Sequence, residues 1–301
     1  MTLSLCLLSP SVMGPTGVGK STFISTLASS HENTMEVQIG HDLKSCTAKI
    51  QAVPFHILQG PLEGWQVVMV DMPGFNNTYL DDAENLKRIA LWLALLYHSK
   101  MKLAGIIYLY DISQAWMLGT TLNNMQMFEK LCGEKVLEAV ILMTTKWSFM
   151  DSNTGKSHEE QLQKEFWGPT VKNKSQVYQF DRSPESARYV LEMLCTTYKS
   201  CQKAMILQIQ AEVVDMAKRI PNTEAGRELR YTLQELLDMQ KSHSRNDNEI
   251  QKILRQLKAL KIPLSQRFLG FLGLAVRRLI CWHYKKSCFT DLFLLIVIYC
   301  Q

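Results

Sequence analysis

Apolar residues recur along this chain with two different periods. Short apolar runs bounded by polar or glycine-containing turns predict buried strands at residues 48–53, 66–70, 104–110, 139–143 and 176–180. Helical patterns lie between them. Residues 82–97 carry Ile89, Leu91, Trp92, Leu93, Leu95 and Leu96, too dense for a one-sided stripe. Residues 122–131 form a second helix, stopped by Gly133, and residues 155–167 read as a polar surface helix. Strands alternating with helices predict βαβ units with right-handed crossovers, hence an α/β fold on a mostly parallel sheet. Residues 7–13 should be another central strand, yet they contain Pro10, which cannot donate to a ladder. Either that strand is shortened to residues 11–13 or the start of the chain departs from the pattern.

From Pro184 the chain becomes almost wholly helical. Leu191, Met193, Leu194, Tyr198, Met205, Ile206, Ile209, Val213, Val214 and Met216 recur at three- and four-residue steps. Pro221-Asn222 interrupts, and Leu229, Leu233, Leu236 and Leu237 resume the stripe. After a polar linker at 242–248 come Ile250, Ile253, Leu257, Leu260 and Ile262. Core packing and a coiled-coil or docking arm both fit these repeats. The expected organisation is an α/β domain at 1–200, a helical extension at 201–262 and a separate tail at 263–301.

The turns carry the chemistry. Gly14-Pro15-Thr16-Gly17-Val18-Gly19-Lys20-Ser21 fills every fixed position of G-x-x-x-x-G-K-[ST]. The glycines let the backbone curl so that successive N–H groups face an anion. Lys20 offers a point charge to β- and γ-phosphates, and the Ser21 hydroxyl is a ligand for Mg²⁺. Thr22 continues into a helix whose positive end faces the same anion. Residues 14–22 are therefore the expected phosphate cradle. A chance glycine-rich turn is the rival reading, and the helical pattern that follows weakens it.

A second anchor is the apolar run 67–70 followed by Asp71-Met72-Pro73-Gly74. Asp71 ends a strand, where α/β sheets place ligand chemistry. It is expected to hold Mg²⁺, while the Gly74 N–H reaches a γ-phosphate. Asp-x-x-Gly alone is a common turn. Placed 51 residues after Lys20, at the end of a buried strand, it completes a nucleotide-switch pattern.

GPTGVGKSTF (14–23), GHDLKSCTAKIQ (40–51), VVMVDMPGF (67–75), KLAGIIYLYDIS (102–113) and FEKLCGEK (128–135) together resemble fungal P-loop GTPases. That group is related to the AIG-type immunity-associated GTPases and, more distantly, to septins. The resemblance spans about residues 11–240. It implies a Ras-like three-layer fold, GTP/GDP and Mg²⁺ as cofactors, and a homodimer through the nucleotide face as one partner arrangement. It also implies that Thr47 is the switch threonine that closes on Mg²⁺, joining Ser21 and Asp71 as metal ligands and Lys20 and Gly74 as catalytic residues. Ser45 competes for that role, and Thr47 also fits the start of strand 48–53.

Two positions depart from the pattern. Ras-type enzymes orient the attacking water with a Gln just after Asp-x-x-Gly. Phe75 stands there, followed by Asn76 and Asn77, so intrinsic hydrolysis should be slow or assisted from elsewhere. Where Asn-Lys-x-Asp reads guanine, this chain has Thr145-Lys146-Trp147-Ser148. Lys146 is expected along the base ring and Trp147 stacked on it, but Ser148 cannot supply a bidentate acceptor. Asp151 substitutes only if the loop folds back. Asp181-Arg182-Ser183-Pro184 is placed for base contact, though a helix cap suits it better.

Guanine against adenine thus stays open. An ATP-dependent phosphotransferase is one rival, although it has no need of the Asp-x-Pro-Gly switch. A nucleotide-binding scaffold with little hydrolysis is another.

Charge changes the picture only at the end of the chain. The 301 residues carry a net +5, too little to argue for a nucleic-acid partner. Residues 1–250 hold 24 basic and 27 acidic side chains, whereas 251–301 hold nine basic and one acidic. Cations mixed with apolar runs at 263–301 suit a helix on an anionic membrane surface. A segment docked on the body of the protein suits them too. The eight cysteines show no CxxC pairing, as expected of free thiols in a reducing cytoplasm. No apolar run is long enough to span a bilayer, so membrane contact would be peripheral.

Overall fold

The structure is a computed structural model that describes residues 7–29, 50–56, 66–75, 82–98, 103–114, 119–201, 205–243 and 247–260. Ser45, Thr47, Asn76, Asn77, Ile262 and the tail 263–301 lie outside the described residues. In chain order the strands are β1 (Leu7–Leu8), β2 (Ser11–Met13), β3 (Gln51–His56), β4 (Gln66–Asp71), β5 (Ile106–Asp111), β6 (Val140–Thr145) and β7 (Gln176–Gln179). The helices are α1 (Lys20–Ser29), α2 (Asp82–His98), α3 (Gly119–Cys132), α4 (Ser152–Gln161), α5 (Gly168–Lys172), α6 (Pro184–Cys201), α7 (Gln208–Gln210), α8 (Glu224–His243) and α9 (Asp247–Leu260). The chain divides into two compact units.

The first unit holds the sheet. Its order is β3, β4, the β1–β2 line, β5, β6, β7, and every pair is parallel except β3 with β4. This is the Ras-like arrangement of a P-loop GTPase fold. Pro10 interrupts the β1–β2 line without changing its register, since Leu8 pairs with Val67 and Ser11 with Val70. The Pro10 carbonyl still accepts from Val70 N–H at 2.9 Å, so only the ladder bond that proline cannot donate is missing. The first edge strand begins at Gln51, three residues later than its apolar pattern suggests. An edge strand needs burial on few positions, so its hydrophobic signal is weak.

One sheet face is covered by α1 and α6. Phe23, Ile24, Leu27 and Ala28 of α1, and Ala187, Val190, Leu191, Leu194 and Cys195 of α6, recur at helical spacing. They pack on Val12, Met69, Ile107, Leu109 and Ile141 from the strands. Phe23 and Phe180 meet edge to face at 5.3 Å, a geometry worth about 0.5–1.5 kcal/mol beyond burial. The expected polar helix at 155–167 is different in detail. It starts at Ser152, passes into a π-helical turn at Leu162–Phe166, and ends on Trp167, which is fully buried. Its sequence is mostly polar because only Gly155, Glu159, Leu162 and Trp167 are buried.

The second unit is helical and gathers α2 and α3 with α7, α8 and α9. Leu86, Ile89, Ala90, Leu93 and Ala94 of α2 are all buried, as the dense pattern requires. Leu229, Leu233 and Leu237 of α8, with Ile253 and Leu260 of α9, are buried where α8 meets α3 and α9, and where α9 meets α2. The apolar stripe is spent on packing inside this unit. Glu212, 2% exposed, is satisfied by Lys218 Nζ at 2.8 Å and by the Glu224 N–H at 3.1 Å, which ties the turn after α7 to the start of α8. Gly226 in the first turn of α8 lies on the Ile220 carbonyl, where a Cβ would overlap the oxygen. Gly226→Ala should therefore destabilise the protein by about 1–3 kcal/mol through overpacking. Urea denaturation checks this, and an unchanged midpoint would show that the α8 start can shift freely.

Candidate nucleotide-binding site

The site is assembled at the carboxyl ends of the parallel strands, where β2, β4, β5 and β6 stop beside one another. Val12 pairs with Asp71, Met13 with Tyr108, and Asp111 with Thr145. The loop after β2 is shaped by three glycines at positive φ: Gly14 at 137°, Gly17 at 83° and Gly19 at 101°. A Cβ at Gly14 would stand 2.5 Å from the Leu109 carbonyl oxygen, so backbone packs on backbone there. At Gly17 and Gly19 nothing among the described residues lies within 4 Å of that position, so the space beside the loop there is open. Open space above left-handed glycines is what an anion cradle needs.

Lys20, 6% exposed, donates from Nζ to the Gly14 and Pro15 carbonyls at 3.0 and 2.9 Å. Its charge is thereby held at the loop by the loop itself. Val18 is buried beneath, while Thr22 follows Ser21 in the first turn of α1, its carbonyl accepting from Thr26. Ser21 Oγ donates to Asp71 Oδ2 at 2.6 Å, and Asp71 is 2% exposed. A hydroxyl and a buried carboxylate meeting beside a phosphate cradle are the donor set a hard divalent cation takes, so Ser21 and Asp71 fit Mg²⁺.

Gly74 closes the other side. A Cβ there would stand 2.7 Å from both the Thr16 backbone nitrogen and its hydroxyl, and 2.8 Å from Lys20 Nζ. Thr16 N–H donates to the Phe75 carbonyl at 3.0 Å, so the Asp-x-x-Gly turn is docked directly on the phosphate loop. Phe75 is 3% exposed and points its ring into the protein. The structure thus brings together Gly14 to Thr22, Asp71 and Gly74.

The base side is built differently from its expected form. Thr145 donates from Oγ1 to the Val18 carbonyl at 2.7 Å, with the Tyr110 carbonyl at 3.2 Å. This ties β6 to the phosphate loop, a role the sequence reading did not give to Thr145. Lys146, at φ 64°, extends Nζ to Asp111 Oδ2 at 2.7 Å. Asp111 Oδ1 accepts from Ser113 N–H and from its hydroxyl. Burial, and then the nearby Asp111 charge, push the Tyr110 phenol up to about 12.

Trp147 is committed elsewhere. Its Nε1 donates to Thr144 Oγ1 at 3.0 Å, and its ring fills the space over Gly155, where a Cβ would meet it at 2.7 Å. Asp151 does not fold back to replace a base-reading carboxylate. It caps α4, accepting from the Asn153 and Thr154 N–H groups, and hydrogen bonds from Thr154 hold its carboxyl below the usual range. Ser148 is exposed. Asp181 accepts from Ser183 N–H at 2.8 Å, and Ser183 Oγ accepts from Ser186 N–H at 3.0 Å, so this turn caps α6 as expected. Asp111 and Thr145 could have been found from sequence only as polar residues ending apolar strands.

Comparison with known proteins agrees with this geometry. Residues 10–146 match the family described as 50S ribosome-binding GTPase. That segment is a P-loop GTPase G domain. No curated protein matches the chain. Among solved structures, Toc33 from Arabidopsis thaliana in complex with Mg²⁺ and GMPPNP is similar over 67% of this chain and 88% of its own, at 13% identity and a TM-score of 0.49. A structure described by the importance of dimerization for the GTPase activity of the chloroplast translocon components atToc33 and psToc159 covers 67% and 87%, at 13% identity and a TM-score of 0.50. The elongation factor SelB from Methanococcus maripaludis, with GppNHp, covers 68% of this chain and 36% of its own, at 15% identity and a TM-score of 0.40. At these identities the likeness concerns the fold.

Thr145 gives this G domain its own test. Thr145→Val keeps the shape of the side chain and deletes the donor to the Val18 carbonyl, leaving a buried acceptor short of a bond at a cost of about 1–3 kcal/mol. We expect a lower denaturation midpoint together with weaker nucleotide binding, measured on one preparation. A variant that loses stability but binds nucleotide normally would show that this bond does not shape the cradle.

Proposed function

We propose that the protein is a Mg²⁺-dependent guanine-nucleotide switch that hydrolyses GTP slowly to GDP and phosphate. The observation that carries this reading is the docking of Gly74 and Phe75 on Thr16 and Lys20 of the phosphate loop. A turn in that position senses whether a third phosphate is present, because a γ-phosphate must enter between the two loops. Mg²⁺ would be held by Ser21 and Asp71, and by Thr47 in the extended form of the proposal, and supplies charge neutralisation at the β- and γ-phosphates. Lys20 then exchanges its loop carbonyls for phosphate oxygens. The slow rate follows from the buried Phe75, which has no group to orient water.

Guanine selectivity rests on the match of residues 10–146 and not on a base-reading carboxylate within residues 145–151. The finer kinship with fungal, AIG-type and septin-like GTPases rests on the motif strings quoted above. Dimerisation through the nucleotide face belongs to the same proposal.

One set of titrations tests these points. Fluorescent GTP and GDP should bind in a Mg²⁺-dependent manner and ATP at least about tenfold more weakly, a difference of about 1.4 kcal/mol. Single-turnover hydrolysis should be slow when dilute and accelerate with protein concentration if two copies complete the site. Preferential ATP binding would sink the guanine reading. Rapid hydrolysis by a dilute monomer would remove the role given to Phe75.

A further inference from the structure

We propose that the free edge of the sheet, strand β7, takes up an extended segment of a partner protein that carries lysine or arginine. Among the described residues β7 pairs with β6 alone. Phe180 N–H donates to the Thr144 carbonyl at 2.9 Å, which fixes the backbone direction of each β7 residue. Tyr178 shares that direction and turns its N–H and C=O toward β6, so Val177 and Gln179 turn theirs outward. Two backbone donors and two acceptors therefore lie along the edge with no further strand among the described residues to meet them.

Sheet edges are commonly blunted by proline or by charged side chains. The edge strand on the opposite side, β3, carries Pro54. β7 reads Gln-Val-Tyr-Gln, with two good strand formers, no proline and no charge. The groove beside it selects the occupant. About 710 Å³ in volume, it is lined by Val177, Tyr178 and Gln179, by Glu159 of α4, and by Gln163 and Val171. Glu159 is the only charged residue of that lining, for Lys164, Lys172 and Lys174 stand outside it. The Glu159 carboxylate accepts from two neutral donors, Thr144 Oγ1 and Gln179 Nε2, and pairs with no cation among the described residues. A buried carboxylate is ordinarily paired, so the groove is complementary to a cation. The Gln179 contact shows that residues 177 and 179 present their side chains on the α4 face. A residue of an added strand lying opposite either one projects over the same face, and a lysine or arginine there brings its charge toward Glu159. The β7 strand of a second copy has no cation to offer.

The probe is a short, capped, fluorescein-labelled peptide of alternating valine and lysine, titrated by anisotropy against the full-length protein with GTP and Mg²⁺. It should bind saturably, with a dissociation constant of about 1 mM or below. The same peptide with glutamate for lysine should bind at least about tenfold more weakly. So should a chain that keeps the lysines but has ester links in place of amides, because it has no N–H to give the outward carbonyls of Val177 and Gln179. Val177→Pro deletes an N–H that β6 does not use, so it should remove peptide binding and leave GTP affinity unchanged. Glu159→Gln should remove most of the preference for lysine over glutamate. The three chains compared on the unaltered protein decide the matter even if a variant does not fold.

Absence of saturable binding by the lysine peptide would overturn the proposal. So would equal binding of the glutamate or ester chain, or lysine-peptide binding that survives Val177→Pro and therefore lies elsewhere on the molecule. Self-association of the protein that Val177→Pro abolishes, with no peptide bound, would give the edge to a second copy, with the same consequence.

Discussion

Lys20→Ala is expected to reduce GTP and GDP affinity at least about a hundredfold, the loss of roughly 3 kcal/mol from a charge-assisted contact inside a buried loop. Lys20 is 6% exposed and sits on the Gly14 and Pro15 carbonyls, so its ammonium stands at the loop that forms the cradle. Removing it takes away the one positive side chain that the loop directs at phosphate. It also frees two carbonyls to turn their negative ends toward the ligand. Arginine should not rescue binding, because its planar fork is larger than the space a point charge occupies there. The measurement is a fluorescent-nucleotide titration alongside a denaturation curve. Unaltered affinity in a folded Lys20→Ala protein would falsify the assignment of residues 14–22.

Gly74→Ala is expected to separate the two nucleotides. The added methyl would meet Thr16 and Lys20 at 2.7 to 2.8 Å, so the turn must retreat from the phosphate loop. GDP does not need that turn and should bind within a few-fold of normal. A non-hydrolysable GTP analogue should lose about ten- to a hundredfold, equivalent to one charge-assisted hydrogen bond of about 1.5–3 kcal/mol. Equal losses for both nucleotides would mean that Gly74 serves only the packing of the loop and not the sensing of the third phosphate.

Much of this site was legible in the order of residues. The phosphate loop and Asp71 are local signals, because left-handed glycines, a lysine and a strand-ending carboxylate have few other uses in that order. Ser21 and Asp71 are 50 positions apart, yet their contact follows once adjacent parallel strands are granted. The base side was legible only in part. Trp147 is an aromatic residue beside a lysine in sequence, and its preference for Gly155 depends on where α4 falls. Asp151 offers a carboxylate, and the start of α4 claims it as a cap. In both cases a helix end competes with the ligand for the same group, and only geometry shows which wins.

The C-terminal stripes teach the same lesson at larger scale. Leu229, Leu233, Leu237 and Ile253 announce buried helices by their spacing alone. Spacing does not say against what. The structure gathers α8 and α9 with α2 and α3, helices drawn from between the strands of the sheet.

By itself, then, the sequence determined the chemistry that depends on backbone conformation and on neighbours within a few positions. It specified the glycine curl, the cation at its end, the carboxylate closing a strand and the alternation that makes a parallel sheet. Tertiary structure decided what depends on which surfaces meet. It bonded Thr145 to the carbonyl of Val18 and paired Lys146 with Asp111. Hydrogen bonds and packing between residues far apart in the chain are set by the closure of the whole chain, and no local pattern encodes them.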